Sequence, residues 1–311
     1  MIAFLALATL SVIPSAVAGE HGLGVLRRFV SLPDGLSAEG LVIHQGHFYV
    51  GTFSFTAADG TILVFDDRGT LTQRITVPGL PEVGQLVVAD DETLFAVAGN
   101  LTAGKGSVVR VNLASGIVTT VASGFKLPNG LAADEQGNLF VTDLLAGTVS
   151  KVTPNGAVSV FASGPFLAPS LLPQIGLTLG PNDLAFDRKG TALYVTNLGH
   201  GTVVKIEVRK DGTAGAISEF ASIPTPDGVA FDVKGNLYVT SPFTNTVWVV
   251  AIDGSAHKLS LDTTHESLSN PSNVAFLGPH LYITNLALTL PGPPRISLAT
   301  VQFPGLPLED S

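Results

Sequence analysis

The chain of 311 residues has no cysteine, so neither a disulfide framework nor a thiolate metal site is available, and the fold must hold by packing and closure alone. Basic residues are scarce: 16 Lys and Arg stand against 25 Asp and Glu, a formal net charge of −9. That balance speaks against nucleic acid or an anionic membrane as a partner. No window long enough for a helix carries a clear 3.6-residue apolar period, which excludes helical bundles and α/β layers. Beyond residue 18 no apolar stretch approaches the length of a membrane span.

What is present begins with residues 2–18, apolar and uncharged, ending in Ala16-Val17-Ala18 ahead of Gly19-Glu20. This is the small-residue cleavage pattern of a secretory signal, so residues 1–18 are expected to be removed and 19–311 to form a single domain in an exported protein, periplasmic if the source is bacterial.

The remainder is written six times. Pro128-Asn129-Gly130-Leu131-Ala132, leading into Asn138-Leu139-Phe140-Val141-Thr142, returns as Pro226-Asp227-Gly228-Val229-Ala230 and Asn236-Leu237-Tyr238-Val239-Thr240, with looser copies near Glu39, Gly84, Asn182 and Ser272. The first apolar residue of each copy is Leu41, Leu86, Leu131, Leu184, Val229 and Val274, in steps of 45, 45, 53, 45 and 45. A fixed period of this length marks a repeat architecture. Within a copy, short β-branched runs such as 147–152 and 158–161 alternate with turn sequences such as Pro154-Asn155-Gly156. Each unit therefore reads as a four-stranded antiparallel meander, and six of them around an axis make an all-β, six-bladed β-propeller. The last copy lacks its outermost strand, and Val25–Val30 precedes the first copy where such a strand should stand. The N-terminal strand is thus expected to complete the last blade and remove two sheet edges.

What recurs serves the blade, so function should lie where equivalent positions carry unlike, costly residues. Two positions before each first apolar residue stand Glu39, Gly84, Asn129, Asn182, Asp227 and Ser272. These open the innermost strands and are candidates to converge on one end of the channel. Glu39, Asn129, Asn182 and Asp227 supply two carboxylates and two amide oxygens, a hard donor set that suits Ca²⁺, with Mg²⁺ or Mn²⁺ as substitutes. Pro-Asn-Gly and Pro-Asp-Gly are also ordinary turn sequences, but a turn does not account for Glu39 in the same register.

In these residues the chain resembles the senescence marker protein, gluconolactonase and luciferin-regenerating-enzyme group of propellers, with paraoxonases and strictosidine synthase as more distant relatives. The resemblance covers roughly residues 23–303. It implies that Glu39, Asn129, Asn182 and Asp227 bind a catalytic divalent metal, and that the protein hydrolyses a lactone or related ester, a small molecule. Asp227 is the candidate for proton transfer, or serves as a ligand only. Sugar-lactone members carry an arginine two residues before the first asparagine, where this chain has Leu127, which weakens the sugar-binding expectation.

Loops between second and third strands should share the face of the metal ligands. They contain Phe53, Phe55, Asp143, Asn197, His200, Phe243 and Leu286. The longer step adds an apolar segment at 165–179, with Leu167, directly before Asn182; it reads as a lid or pocket wall, which implies a substrate larger and more apolar than a free sugar lactone, or as a cap over exposed sheet. His200 is a candidate acid, base or substrate donor, but as a lone histidine between glycines it reads first as a solvated loop residue. Asp183 can assist the metal or cap a turn. Two other functions stay open: a biosynthetic propeller promoting condensation, cyclisation or cycloaddition, and a non-catalytic NHL-like binding propeller with a structural Ca²⁺.

Overall fold

Six inner strands touch one another in a closed ring: Ser37–His44, Glu82–Asp90, Pro128–Ala133, Pro181–Phe186, Val229–Phe231 and Pro271–Leu277, the last returning against the first. The computed structural model describes residues 23–306 apart from His265 and Pro291, so the expected signal segment lies outside the described residues. Four of the sheets have four strands each. An eight-stranded sheet covers the first two sequence units, whose meanders are joined through a single residue pair, Phe53 with Glu82. The architecture is an all-β propeller. Among the described residues there is no α-helix, only a 3₁₀ turn at Pro165–Leu167, and no helix long and apolar enough to cross a membrane.

The strands are apolar on both faces because each sheet is sandwiched between two others. Core clusters accordingly draw on neighbouring units: Val42 and Ile62 with Leu86 and Ala96, Phe140 and Val149 with Leu184 and Val204, Tyr238 and Val249 with Val274 and Ile283. The cluster that joins Phe48, Val50 and Leu63 of the first unit to Tyr282 and Ile296 of the last closes the circle. Burial of this kind contributes about 25 cal/mol for each Å² of apolar surface, which is how a fold without disulfides holds.

The expected closure is present. Arg27–Ser31 pairs antiparallel with Arg295–Thr300 in the sheet of the last unit. It begins two residues later than the sequence suggested, because Val25 forms a parallel bridge with Asp262 instead. Phe29 seats on Phe48 and Tyr282 at ring-centroid distances of 4.6 and 5.3 Å. Glu266 accepts from Arg28 Nε at 2.9 Å and pairs with the buried Arg295 at 3.2 Å, tying both partners of the closing seam to one carboxylate.

Five inner strands carry a register shift just before their first apolar residue, between Ala38 and Leu41, Val83 and Leu86, Pro128 and Leu131, Pro181 and Leu184, and Pro271 and Val274. A bulge leaves residues outside the ladder and re-aims their side chains. Four of these shifts contain Glu39, Asn129, Asn182 or Ser272, so the local fold frees the candidate ligand position.

Candidate functional site

The channel ring forms two pairs. Gly84 of the second unit has no side chain, and a methyl there would stand 2.4 Å from the Asn129 carbonyl oxygen. Across that gap Asn129 Nδ2 donates to Glu39 Oε1 at 3.0 Å, although 90 residues separate them. On the other side the Asn182 side chain stands beside the Asp227 carboxylate and opposes the rise of its pKa. Asn182 is 3 % exposed and its Oδ1 has no donor.

Burial pushes the Glu39 carboxyl up to about 7, with the charges of Asp183 and Glu82 adding to the shift and the Asn129 hydrogen bond opposing it. Asp227 is raised well above its ordinary value, first by burial and then by the charges of Glu39 and Asp183. Two desolvated carboxylates, Asp227 raised further by the Glu39 charge, beside an orphaned amide oxygen, form a site short of positive charge. This donor set fits a hard divalent cation. Among the described residues no group of three or more His, Cys, Asp or Glu side chains is arranged to hold a metal, so amide oxygens must complete any such site.

A second layer of residues holds this ring, and the sequence reading passed over it. In units three to six the strand beside the inner one carries a fully buried threonine. Thr196 Oγ1 accepts from Asp183 N at 2.9 Å and donates to the Asp227 carbonyl of the next unit at 2.6 Å. Thr142 does the same between Gly130 N and the Asn182 carbonyl. Thr240 links Gly228 N to the Ser272 carbonyl at 2.7 Å each, and Thr284 links Asn273 N to the Glu39 carbonyl at 2.9 and 2.8 Å. Each clasp fixes the backbone of the next unit's ring residue. In the first unit the position is Gly51, where a methyl would lie 2.4 Å from the Gly84 oxygen.

The residue after each ring position alternates: Gly40, Gln85, Gly130, Asp183, Gly228, Asn273. Methyl groups at the three glycines would stand 2.2, 2.6 and 2.5 Å from the carbonyl oxygens of Gly84, Asn182 and Ser272. The three polar side chains bridge units instead. Asp183 accepts from Leu184 N at 2.8 Å, Val229 N at 3.0 Å and Asn273 Nδ2 at 3.1 Å, while Gln85 accepts from Leu41 N and Leu86 N. Burial pushes Asp183 up to about 7. It thus braces units four, five and six around the ring.

At the mouth, Asp143 and Asn197 are spent on bracing. Asp143 accepts from the backbone N–H groups of Lys126, Leu127, Leu145 and Ala146. Asn197 Nδ2 donates to the carbonyls of Phe166 and Ala168, and its Oδ1 accepts from His200 N. The segment at 165–179 is the 3₁₀ turn and a hairpin, Ser170–Leu172 with Leu177–Leu179. It is seated firmly: a methyl at Gly199 would be 2.1 Å from the Leu179 oxygen. Leu172 and Leu179 pack with Leu127, Leu144 and Leu198, and Phe243 and Leu101 lie against them, so the segment is a fixed apolar wall. The Leu167 side chain is fully buried in the core between units three and four. The His200 side chain is exposed. Phe53 and Phe55 meet edge to face at 5.1 Å.

A family model described as the SMP-30/gluconolactonase/LRE-like region matches residues 98–287. No curated protein matches the chain. Among solved structures, a gluconolactonase from Xanthomonas campestris is 19 % identical with a TM-score of 0.65, covering 90 % of this chain and 89 % of that one. The calcium-binding protein regucalcin from Agrobacterium tumefaciens is 15 % identical, TM-score 0.64, covering 90 % and 97 %. A catalytically inactive virginiamycin B lyase from Staphylococcus aureus, solved with quinupristin, is 17 % identical, TM-score 0.55, covering 89 % and 88 %. At these identities the likeness is one of fold.

Proposed function

The chain belongs to the SMP-30/gluconolactonase/LRE-like family, and on that premise we propose that it is an exported, divalent-metal-dependent hydrolase of a fairly apolar lactone or ester. The scaffold is read as a single six-bladed propeller, the eight-stranded sheet counting as two blades. The family supports a lactonase-type hydrolase acting on a small molecule; the metal and the apolar substrate rest on this chain's own residues. The observation that carries the reading is the pair of buried carboxylates Glu39 and Asp227, both raised by burial and the second further by the charge of the first, beside the donorless Asn182 Oδ1.

Glu39, Asn129, Asn182 and Asp227 would hold the cation, and Ca²⁺ suits them best. When bound, such an ion supplies Lewis-acid polarisation of a carbonyl. The chain's own part is to fix the donors through the threonine clasps, to present Asp227 as acceptor of the proton released by an attacking water, and to exclude bulk water with the leucine wall. Leu127 within that wall favours apolar groups over polyhydroxylated ones.

Turnover of aryl esters and apolar lactones is expected with Ca²⁺, Mg²⁺ or Mn²⁺, with loss on chelation and in Asp227→Asn while the fold persists. A metal-loaded protein inert towards all of them overturns the hydrolase. The fold likeness to virginiamycin B lyase favours a second reading, non-hydrolytic chemistry in the same channel; retained metal binding with no hydrolysis but conversion of a cyclic ester without uptake of water would mark it. Metal binding with neither reaction would leave a binding propeller.

A further inference from the structure

Glu82 has no role in the ring, yet it stands at its entrance. It opens the second inner strand two residues before Gly84, in the ladder opposite Gly99, at the strand end next to the mouth loops. Its Oε2 accepts from Leu101 N at 2.7 Å, and no described residue donates to its Oε1. None of the ion pairs among the described residues involves it.

Its surroundings are specific. Glu82 is the cross-strand partner of Phe53, so the two side chains emerge on one face as neighbours, and Phe53 carries Phe55 edge to face. A methyl at Gly99 would be 2.9 Å from Leu127 Cδ1 and 3.7 Å from Glu82 Oε2, so the leucine wall begins at the carboxylate. The Glu82 charge in turn adds to the upward shift of the Glu39 carboxyl. Glu39, Glu82, Asp183 and Asp227 make four carboxylates around the channel; one divalent ion offsets two.

We propose that Glu82, with Phe53 and Phe55 beside it and Leu127 behind it, forms a subsite for a protonated amine carried on an otherwise apolar substrate. A half-buried carboxylate without a cationic partner, next to aromatic rings and apolar side chains, is the arrangement that binds an ammonium group: the carboxylate supplies a charge-assisted hydrogen bond, the rings a cation–π contact, and the wall a place for the carbon skeleton. The excess negative charge of the channel selects the same sign. This rests on the channel being the substrate site, and it adds the charge of the substrate to that reading.

The test uses the full chain with n-hexylammonium, 1-hexanol and hexanoate as probes, titrated by calorimetry at neutral pH in calcium and again in chelator. Hexylammonium is expected to bind roughly ten- to a hundredfold more tightly than hexanol, the range for a charged hydrogen bond out of bulk water, and hexanoate more weakly than either. Glu82→Gln keeps an amide oxygen for Leu101 N, so the loop stays braced while the charge is removed; the preference for hexylammonium should vanish with hexanol binding unchanged. Phe53→Leu should reduce the preference about threefold. Equal binding of hexylammonium and hexanol by the wild type, or a preference that survives in Glu82→Gln, overturns the proposal. If the preference is found and no lactone or ester is hydrolysed, the hydrolase falls and the amine subsite stands.

Discussion

Removing one methyl-sized hydroxyl from the threonine clasps separates ligand positioning from general stability. Thr196→Val keeps shape and deletes the hydroxyl, leaving Asp183 N and the Asp227 carbonyl buried without each other's bridge. Each stranded group costs about 1–3 kcal/mol, so a loss of roughly 2–6 kcal/mol is expected, and a Tm lower by about 5–10 °C at this chain size. The same arithmetic applies to Thr142 and Thr240, and Thr284, which also bonds the Ser272 hydroxyl at 2.9 Å, should lose at least as much. Metal affinity should not fall equally. Thr142 and Thr196 each join two units that carry proposed ligands, Asn129 with Asn182 and Asn182 with Asp227, whereas Thr240 and Thr284 each join one ligand-bearing unit to the unit of Ser272. Supporting residues of a metal site typically account for ten- to a hundredfold in affinity. Calcium titration of the four valine variants, with thermal unfolding in chelator alongside, should show similar Tm losses but weakening of about ten- to a hundredfold for Thr142→Val and Thr196→Val against severalfold for the other pair. Affinities that track Tm across all four, or stay at the wild-type value in Thr196→Val, refute the positioning argument.

Three further outcomes follow from the same geometry. Burial pushes Glu39 and Asp183 up to about 7, and a carboxyl whose pKa rises on folding stabilises the fold while protonated. In chelator that contribution is complete below about pH 4 and disappears as pH climbs through 7, at most about 3–4 kcal/mol per group; Tm should fall between pH 5 and 8 without calcium and hold steady with it, and a Tm that rises over that range in chelator contradicts the assignment. Glu39→Gln keeps an oxygen for Asn129 Nδ2 and removes a buried charge, so in chelator at pH 8 the variant should melt above the wild type while calcium no longer raises its Tm; equal calcium stabilisation in both would count against Glu39 as a ligand. Asn197→Ala releases the carbonyls of Phe166 and Ala168 and the N–H of His200, so limited proteolysis should open the 165–179 segment and Tm should fall by several degrees, whereas His200→Ala, on an exposed side chain, should melt within about 0.5 kcal/mol of wild type.

Much of this was legible because the chain repeats itself. The ruler residues Leu41 to Val274 all fall on inner strands, and the unit missing its last strand is completed by Arg27–Ser31 from the other end of the chain. The ring position was readable for the same reason: Glu39 in the register of Asn129 and Asp227 has no turn chemistry to account for it. The clasps were written just as plainly, as Thr142, Thr196, Thr240 and Thr284 at one register, but a threonine in a strand reads as β propensity until its neighbour across the unit boundary is known. The alternation of glycine with Gln85, Asp183 and Asn273 was likewise visible, and its cause was not, since only coordinates bring the carbonyls of Gly84, Asn182 and Ser272 against those glycines. Asp143 and Asn197 look like pocket groups in sequence because they are polar and sit at loop starts; besides N–H groups of their own turns, they are occupied by backbone groups of Lys126, Leu127, Phe166 and Ala168, which only coordinates bring to them. Glu82 was passed over because it lies outside the repeated ring register, and its significance depends on Phe53 and Leu127 from the flanking units.

The central claim is that oxygen donors from four units share one cation. Calorimetric titration of calcium into the full chain after chelator treatment measures it directly. One ion per chain is expected, with binding abolished in Glu39→Gln and in Asp227→Asn while both variants keep the circular dichroism of the wild type. No saturable binding by the folded wild type, or one ion per chain bound with undiminished affinity after both substitutions, would contradict it.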